Sequence, residues 1–269
     1  MTGFSTDWLL LRESADHAAR NPAVRDIVTG YLNKTRRAVV ADLAAGTGST
    51  FRALAEEIEV EQTWHLFDND TDLLEEAERQ AEKARQKRLE VQTHSVDLNR
   101  FPSGIVGHQP NLVTTSAFLD LVSADWLSRL VTYAMMERIP VYAALTYSGS
   151  VIFTPKDPAD PRIVAAHNRH QKGDKGFGPA LGPTAADRLI KLFHVARFKV
   201  IDRDSNWRLD ETDADLQRDL LTGWADVAAE TGLVPEDQAQ AWLTRRLEAV
   251  DSGVSRIVVG HRDVAAFPS

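Results

Sequence analysis

A short apolar run that ends in an acid and breaks into a small-residue loop constrains this chain most. Val39-Val40-Ala41-Asp42-Leu43 reads as a buried strand, Ala44-Ala45-Gly46-Thr47-Gly48 as a loop, and Ser49 as the start of a helix. Gly46 and Gly48 carry no side chain, so the loop backbone can approach a ligand closely. An acid at the strand end can accept hydrogen bonds from a cationic or hydroxylated group. A strand, a tight glycine turn and a helix in that order suit a nucleotide-like cofactor.

The rest of the pattern extends this unit into a layered fold. Strands are expected at 38–43, 63–67 (ending at Asp68), 89–94, 111–116 and 140–146, with helices at 49–57, from Asp70 to about Arg88, and 124–137. Alternation of this kind implies parallel crossover connections and a doubly wound α/β sheet with helices on both faces. Two helices, 7–20 and from Pro22 to about Leu32, precede the sheet. Further on come a helix near 184–196, a strand at 197–201, helices at about 211–231 and 235–249, and a last strand at 255–261.

Composition narrows the function classes. The chain has 269 residues and 43% hydrophobic residues, enough for one large domain with a full core. It shows no apolar run near the ~20 residues of a membrane span. It has no basic, then apolar, N-terminal leader and no cysteine, so a cytoplasmic protein without disulfides is expected. The net charge is −8. The densest basic cluster, Lys83 to Arg88, shares its expected helix with Glu75, Glu76, Glu78 and Glu82. It therefore reads as a solvated face rather than a phosphate-binding stripe. No nucleic acid or membrane is expected as partner; a small acceptor molecule fits better.

Asp42, Gly46 and Gly48 resemble motif I of the class I S-adenosylmethionine (SAM) dependent methyltransferases, (Asp/Glu)-x-Gly-x-Gly-x-Gly, with Ala44 where the first glycine usually stands. Asp68, 26 residues after Asp42, resembles motif II, where an acid accepts from the ribose hydroxyls and Asn69 flanks the adenine. Asp97-Leu98 resembles the segment whose acid and following backbone N–H bind the adenine edge. Residues 110–120 resemble motif IV, with Asn111 where Asp is common, and Ser116, Ala117 and Phe118 would face the sulfonium end. The resemblance covers about residues 38–146. It implies a seven-stranded, mostly parallel sheet whose last strand inserts antiparallel. One domain, 1–269, would comprise N-terminal lid helices (1–37), a SAM-binding core (38–146), an acceptor-side elaboration (147–196) and closing strands and helices (197–269). Trp8 and Arg12 would serve in the lid, or in core packing and a surface pair. The cofactor is expected to be SAM, with S-adenosylhomocysteine as product.

The implied chemistry is methyl transfer by in-line displacement to O or N of a small acceptor. Residues 166–183 are rich in His, Gly, Pro and charge, and read as the acceptor side. His167 and His170 are candidate bases, because histidine titrates near neutrality. Asp120 is a third candidate that could reach the acceptor, and Arg169 or Lys175 could hold an acidic substrate. Tyr142, Tyr147 and Trp207 are candidate pocket walls. His167, His170 and Asp174 lack a further ligand set, so no metal is expected. A homodimer is left open. Two other readings remain. A NAD(P) oxidoreductase lacks its third glycine (Phe51 stands there) and any Tyr-x-x-x-Lys pair. A non-catalytic SAM-binding scaffold is kept open by Ala44 and Asn111.

Overall fold

The computed structural model describes residues 4–84 and 88–269. The chain begins with α1 (Thr6–Ala19) and α2 (Pro22–Leu32). Ser5 accepts from the Trp8 N–H to cap α1, and Asn21 accepts from the Ala23 N–H to cap α2, with Pro22 in the first turn where its missing N–H costs nothing. Five parallel-sheet units follow: β1 (Arg37–Leu43), α3 (Ser49–Leu54), β2 (Glu61–Asp68), α4 (Thr71–Ala84), β3 (Leu89–Ser95), β4 (Leu112–Ser116), α5 (Ala124–Glu137) and β5 (Val141–Thr154). Then come α6 (Asp160–His170), α7 (Ala185–Val195), β6 (Phe198–Asp204), β7 (Trp207–Leu209), α8 (Ala214–Glu230), α9 (Glu236–Asp251) and β8 (Arg256–Pro268).

The strand order is β3-β2-β1-β4-β5-β8-β6, with β7 pairing β8 off that path. β1 to β5 run parallel, and β8 lies antiparallel between β5 and β6. The doubly wound sheet and its inserted antiparallel strand are as expected. The sheet has eight strands rather than seven, because the three-residue β7 adds an edge too short to leave a pattern. The end of the helix expected to reach Arg88, and half of the Lys83–Arg88 cluster, fall on 85–87, outside the described residues; so does the start of the N-terminus.

Each sheet face carries its own core. On one, α5 and α7 bury Trp126, Leu130, Leu189 and Phe193 against Ala41, Leu43, Val113 and Val141. On the other, α2, α3 and α4 bury Val28, Phe51 and Leu74 against Val40, Trp64 and Leu66. A central strand buried on both faces explains the near-continuous apolar run of β1.

A third core lies beyond the sheet. β5 does not stop near Thr146; it runs on to Thr154 beside β8, and the pair forms an antiparallel ribbon. Register shifts occur between Ala143 and Thr146 and between Tyr147 and Val151, with Leu145 left-handed at φ 52°. α1, α6, α8 and α9 pack on this ribbon around Phe153, Trp224 and Trp242. The 150–183 segment is therefore less irregular than its prolines suggest. It contributes the end of β5 and all of α6, whose Pro161 sits in the first turn.

Candidate active site

The loop after β1 is built on left-handed backbone. Ala44, Gly46 and Gly48 all have positive φ, at 54°, 52° and 80°. For Ala44 this conformation carries strain of about 1–2 kcal/mol, which a glycine there would not bear. Phe51, in the place of a dinucleotide fingerprint's third glycine, is fully buried against Trp64, so this helix does not make the close glycine contact of that fold. Asp68, at the end of β2, accepts from the Gly46 N–H at 2.8 Å and from the Asp70 N–H at 3.1 Å, so it holds the loop as well as facing it.

Asp42 is fully buried and neither carboxylate oxygen has a hydrogen-bond partner. Burial pushes its pKa up to about 7, against the opposing charge of Arg20. Arg20, equally buried at the end of α1, donates to Ser116 Oγ at 3.2 Å and to Thr50 Oγ1 at 3.4 Å, while its Nε and Nη1 find no partner. Unpaired acceptors and unpaired donors thus sit together beside the glycine loop. Leaving such groups unmatched costs about 1–3 kcal/mol each, so the arrangement fits a ligand that bears both an ammonium and a carboxylate.

Because the folded value lies above the ordinary 3.8, the folded chain binds the Asp42 proton more tightly than the unfolded chain does. Its favourable contribution is complete below pH 3.8 and is lost as pH rises through about 7. Asp42→Asn should therefore flatten the fall in stability between pH 4 and 7, by a few kcal/mol. Urea unfolding of both proteins across that range checks it; parallel pH profiles would sink the assignment.

At the other end of the site, Asn69 and Asp97 are exposed, and Leu98 is buried. Asp97 accepts from the Asn99 N–H, capping a short turn. The Leu98 carbonyl accepts from Trp126 Nε1 at 2.8 Å. Ser116 and Ala117 end β4, whereas Phe118 packs into the core against Trp126 and Phe177 rather than toward the site. Asn111 lies at the opposite end of β4. Its side chain accepts from the Val39 N–H and donates to the Arg37 carbonyl, a clasp between β1 and β4 that a carboxylate could not make.

Beside Ala117 opens a cavity of about 350 Å³, lined by Trp8, Arg12, Tyr147, His167, Trp207 and Trp224 together with Asp120, Leu145 and His261. Asp120 is buried, its Oδ1 has no partner, and burial raises its pKa to about 6. His167 stacks on Trp224 at 4.3 Å; burial lowers its pKa to about 4, and its Nδ1 is unpartnered. Arg12 is not a surface group: it forks onto Asp16 at 2.9 and 3.0 Å and lies over Trp207.

His170 does not line the cavity. Its ring faces Lys175 Nζ at 3.1 Å. Tyr142 is not a wall either; it is buried in the sheet and donates to Asp263. Arg169 is exposed, and Asp174 is engaged by the Gly176 and Gly178 N–H groups. Trp224 and His261 were not legible as site residues, since nothing local in α8 or β8 marks them.

Solved structures locate the fold. The cyclopropane synthase MmaA2 from Mycobacterium tuberculosis superposes with a TM-score of 0.53 at 11% identity, covering 98% of this chain and 94% of that one. A protein of Bacillus halodurans C-125 assigned as a methyltransferase gives 0.53 at 13% identity, covering 91% and 98%. The fold is that of the class I SAM-dependent methyltransferases. No protein-family model and no curated protein sequence matches the chain. Within this methyltransferase fold, the glycine loop, Asp42 and Asp68 occupy the carboxyl edge of β1 and β2, and the cavity adjoins the carboxyl ends of β4 and the bulged β5. Sites at the carboxyl edge of such sheets are the rule.

Proposed function

We propose that the protein is a SAM-dependent methyltransferase acting on O or N of a small, largely apolar acceptor. The observation that carries this reading is the pair of unmatched buried groups, Asp42 and Arg20, beside the left-handed glycine loop. Asp42 would meet the ammonium of the cofactor's amino-acid end and Arg20 its carboxylate. Asp68 would accept from ribose hydroxyls with its remaining lone pairs, and Asn69, Asp97 and Leu98 would border the adenine. When bound, SAM supplies an electrophilic methyl group.

The chain's own part is positioning. Trp8, Trp207 and Trp224 enclose the acceptor, exclude water and align it with the methyl carbon, which accounts for much of the rate gain in a displacement. Asp42, Arg20 and Asp68 would hold the cofactor with its methyl carbon in line with the acceptor lone pair, the carbon–sulfur electron pair leaving on sulfur. A proton lost by the acceptor passes to Asp120, whose pKa near 6 leaves it ionised and mildly basic at neutral pH. His167, neutral at that pH, orients the acceptor through its free Nδ1. This arrangement favours Asp120 as the base, with His167 as an orienting group, over His170.

α1 acts as the lid. Leu9 lies over Gly46, where a Cβ would meet its side chain at 3.1 Å, while His17 reaches Ser49 and Glu13 pairs with Arg52 at 2.6 Å. Cofactor entry requires this helix to lift. Calorimetric titration with S-adenosylhomocysteine, with NAD and NADP as controls, tests the reading. Micromolar binding of the first alone, with slowed amide exchange in α1, is the expected result; binding of NAD alone would favour the oxidoreductase. Absence of methyl transfer from labelled SAM to any component of a cell extract, despite tight binding, would favour a non-catalytic scaffold.

A further inference from the structure

Three histidines cluster outside this site. His65 on β2, His94 on β3 and His108 in the connection before β4 bring one ring nitrogen each to within 4.8 Å of one another. His65 Nδ1 and His94 Nε2 are 3.0 Å apart, and the ring centroids stand 5.2, 4.4 and 4.6 Å apart in the three pairs. We propose that these three histidines bind a divalent transition-metal ion of the imidazole-preferring class, zinc being the reference case.

Nitrogens at the usual zinc distance of about 2.0–2.1 Å stand roughly 3.3 Å apart in a tetrahedral site. The observed separations lie close enough for small side-chain rotations to reach that geometry. Three ligands from two adjacent strands and a loop leave a fourth position for water. The framework is built in. The parallel register sets Phe67 opposite His94, and Phe67 stacks on the His94 ring at 4.7 Å, which fixes its plane. His108 lies between Gly107 and Gln109, both left-handed at φ 109° and 48°, in a turn that returns the chain against the sheet. Apart from the shared His65–His94 contact, no protein partner bonds these ring nitrogens among the described residues. An ion here would fasten the 96–111 connection, which carries Asp97 and Leu98, onto β2 and β3.

The test uses the full chain, free of any histidine tag and stripped with a chelator. Titration with cobalt(II) should give one equivalent bound per chain and visible ligand-field bands shaped by nitrogen ligation. Zinc should displace the cobalt and raise Tm. His94→Ala and His108→Ala should each lose the bands and the Tm gain, while His167→Ala keeps both. His108 is in a loop, so its variant tests the site even if His94→Ala folds poorly. No cobalt uptake by the stripped wild type, or uptake unchanged in His108→Ala, would overturn the proposal. Neither outcome bears on methyl transfer, because S-adenosylhomocysteine binding is read separately.

Discussion

Asp68→Ala is expected to remove S-adenosylhomocysteine binding, a loss of at least about 100-fold, or roughly 2.7 kcal/mol. Two effects add. The carboxylate that would take the ribose hydroxyls disappears, and the glycine loop loses the acceptor that holds the Gly46 N–H at 2.8 Å. That N–H lies in a buried setting, so stranding it costs about 1–3 kcal/mol of fold stability as well. Mild destabilisation accompanied by lost binding is therefore the expected pattern. Asp68→Asn keeps one acceptor oxygen and should fall between the two. Calorimetry beside urea unfolding separates the effects. Unchanged affinity in Asp68→Ala would place the ribose elsewhere.

The strand, loop and acids of the proposed cofactor side were legible because they are local. Asp42, the loop and Ser49 lie within eight residues, and Asp68 ends the next strand, so strand periodicity and glycine spacing locate them together. The acceptor side is assembled from α1, the β4 end, β5, α6, β7, α8 and β8, and no short window contains it. The strand expected to end at Thr146 runs on because Tyr147 pairs with His261 and Val151–Thr154 pair with Arg256–Val259 of β8, on either side of a bulge at Ser148-Gly149-Ser150. Gly260 faces it, where a Cβ would run into Ser148 Oγ and the Ser150 backbone carbonyl. α6 was hidden by its polarity and by Pro158 and Pro161, although Ile163 and Ala166 are its buried stripe.

Two apparent departures from the family pattern resolve differently. Asn111 is a structural clasp remote from the site, so it gives no support to a non-catalytic scaffold. Ala44 does sit in the loop, and its left-handed φ is a real cost borne where the cofactor would lie. The histidine cluster had one faint signal. His65 and His94 stand on adjacent parallel strands two register positions apart, His65 beside Gln92 and Phe67 beside His94, which keeps both on one face of the sheet. Nothing in the sequence places His108 beside them, because its position depends on how the connection folds back.

The largest expected stability loss is at Asp263, which lies outside the cofactor motifs. This fully buried carboxylate accepts from the Tyr142 hydroxyl and the Asn21 N–H, each at 3.0 Å, and from the Leu145 N–H at 2.8 Å. It also faces the buried Arg20 charge. Asp263→Ala strands three donors and leaves Arg20 short of a counter-charge, so a loss of about 3–5 kcal/mol is expected. Asp263→Asn preserves the shape and one acceptor, and the Tyr142 hydroxyl can turn to accept from the new amide, so roughly 1–2 kcal/mol is expected there. Leu145 lines the cavity proposed for the acceptor, and Asn21 joins α1, the proposed lid, to α2. One carboxylate on β8 therefore holds both the cavity floor at Leu145 and the α1–α2 junction at Asn21. Urea unfolding gives the stabilities, and S-adenosylhomocysteine titration of the folded Asp263→Asn protein gives the coupling. A loss under about 1 kcal/mol in Asp263→Ala would mean that water replaces the carboxylate at no great cost. Full stability loss with unchanged cofactor affinity in Asp263→Asn would separate the fold anchor from the lid.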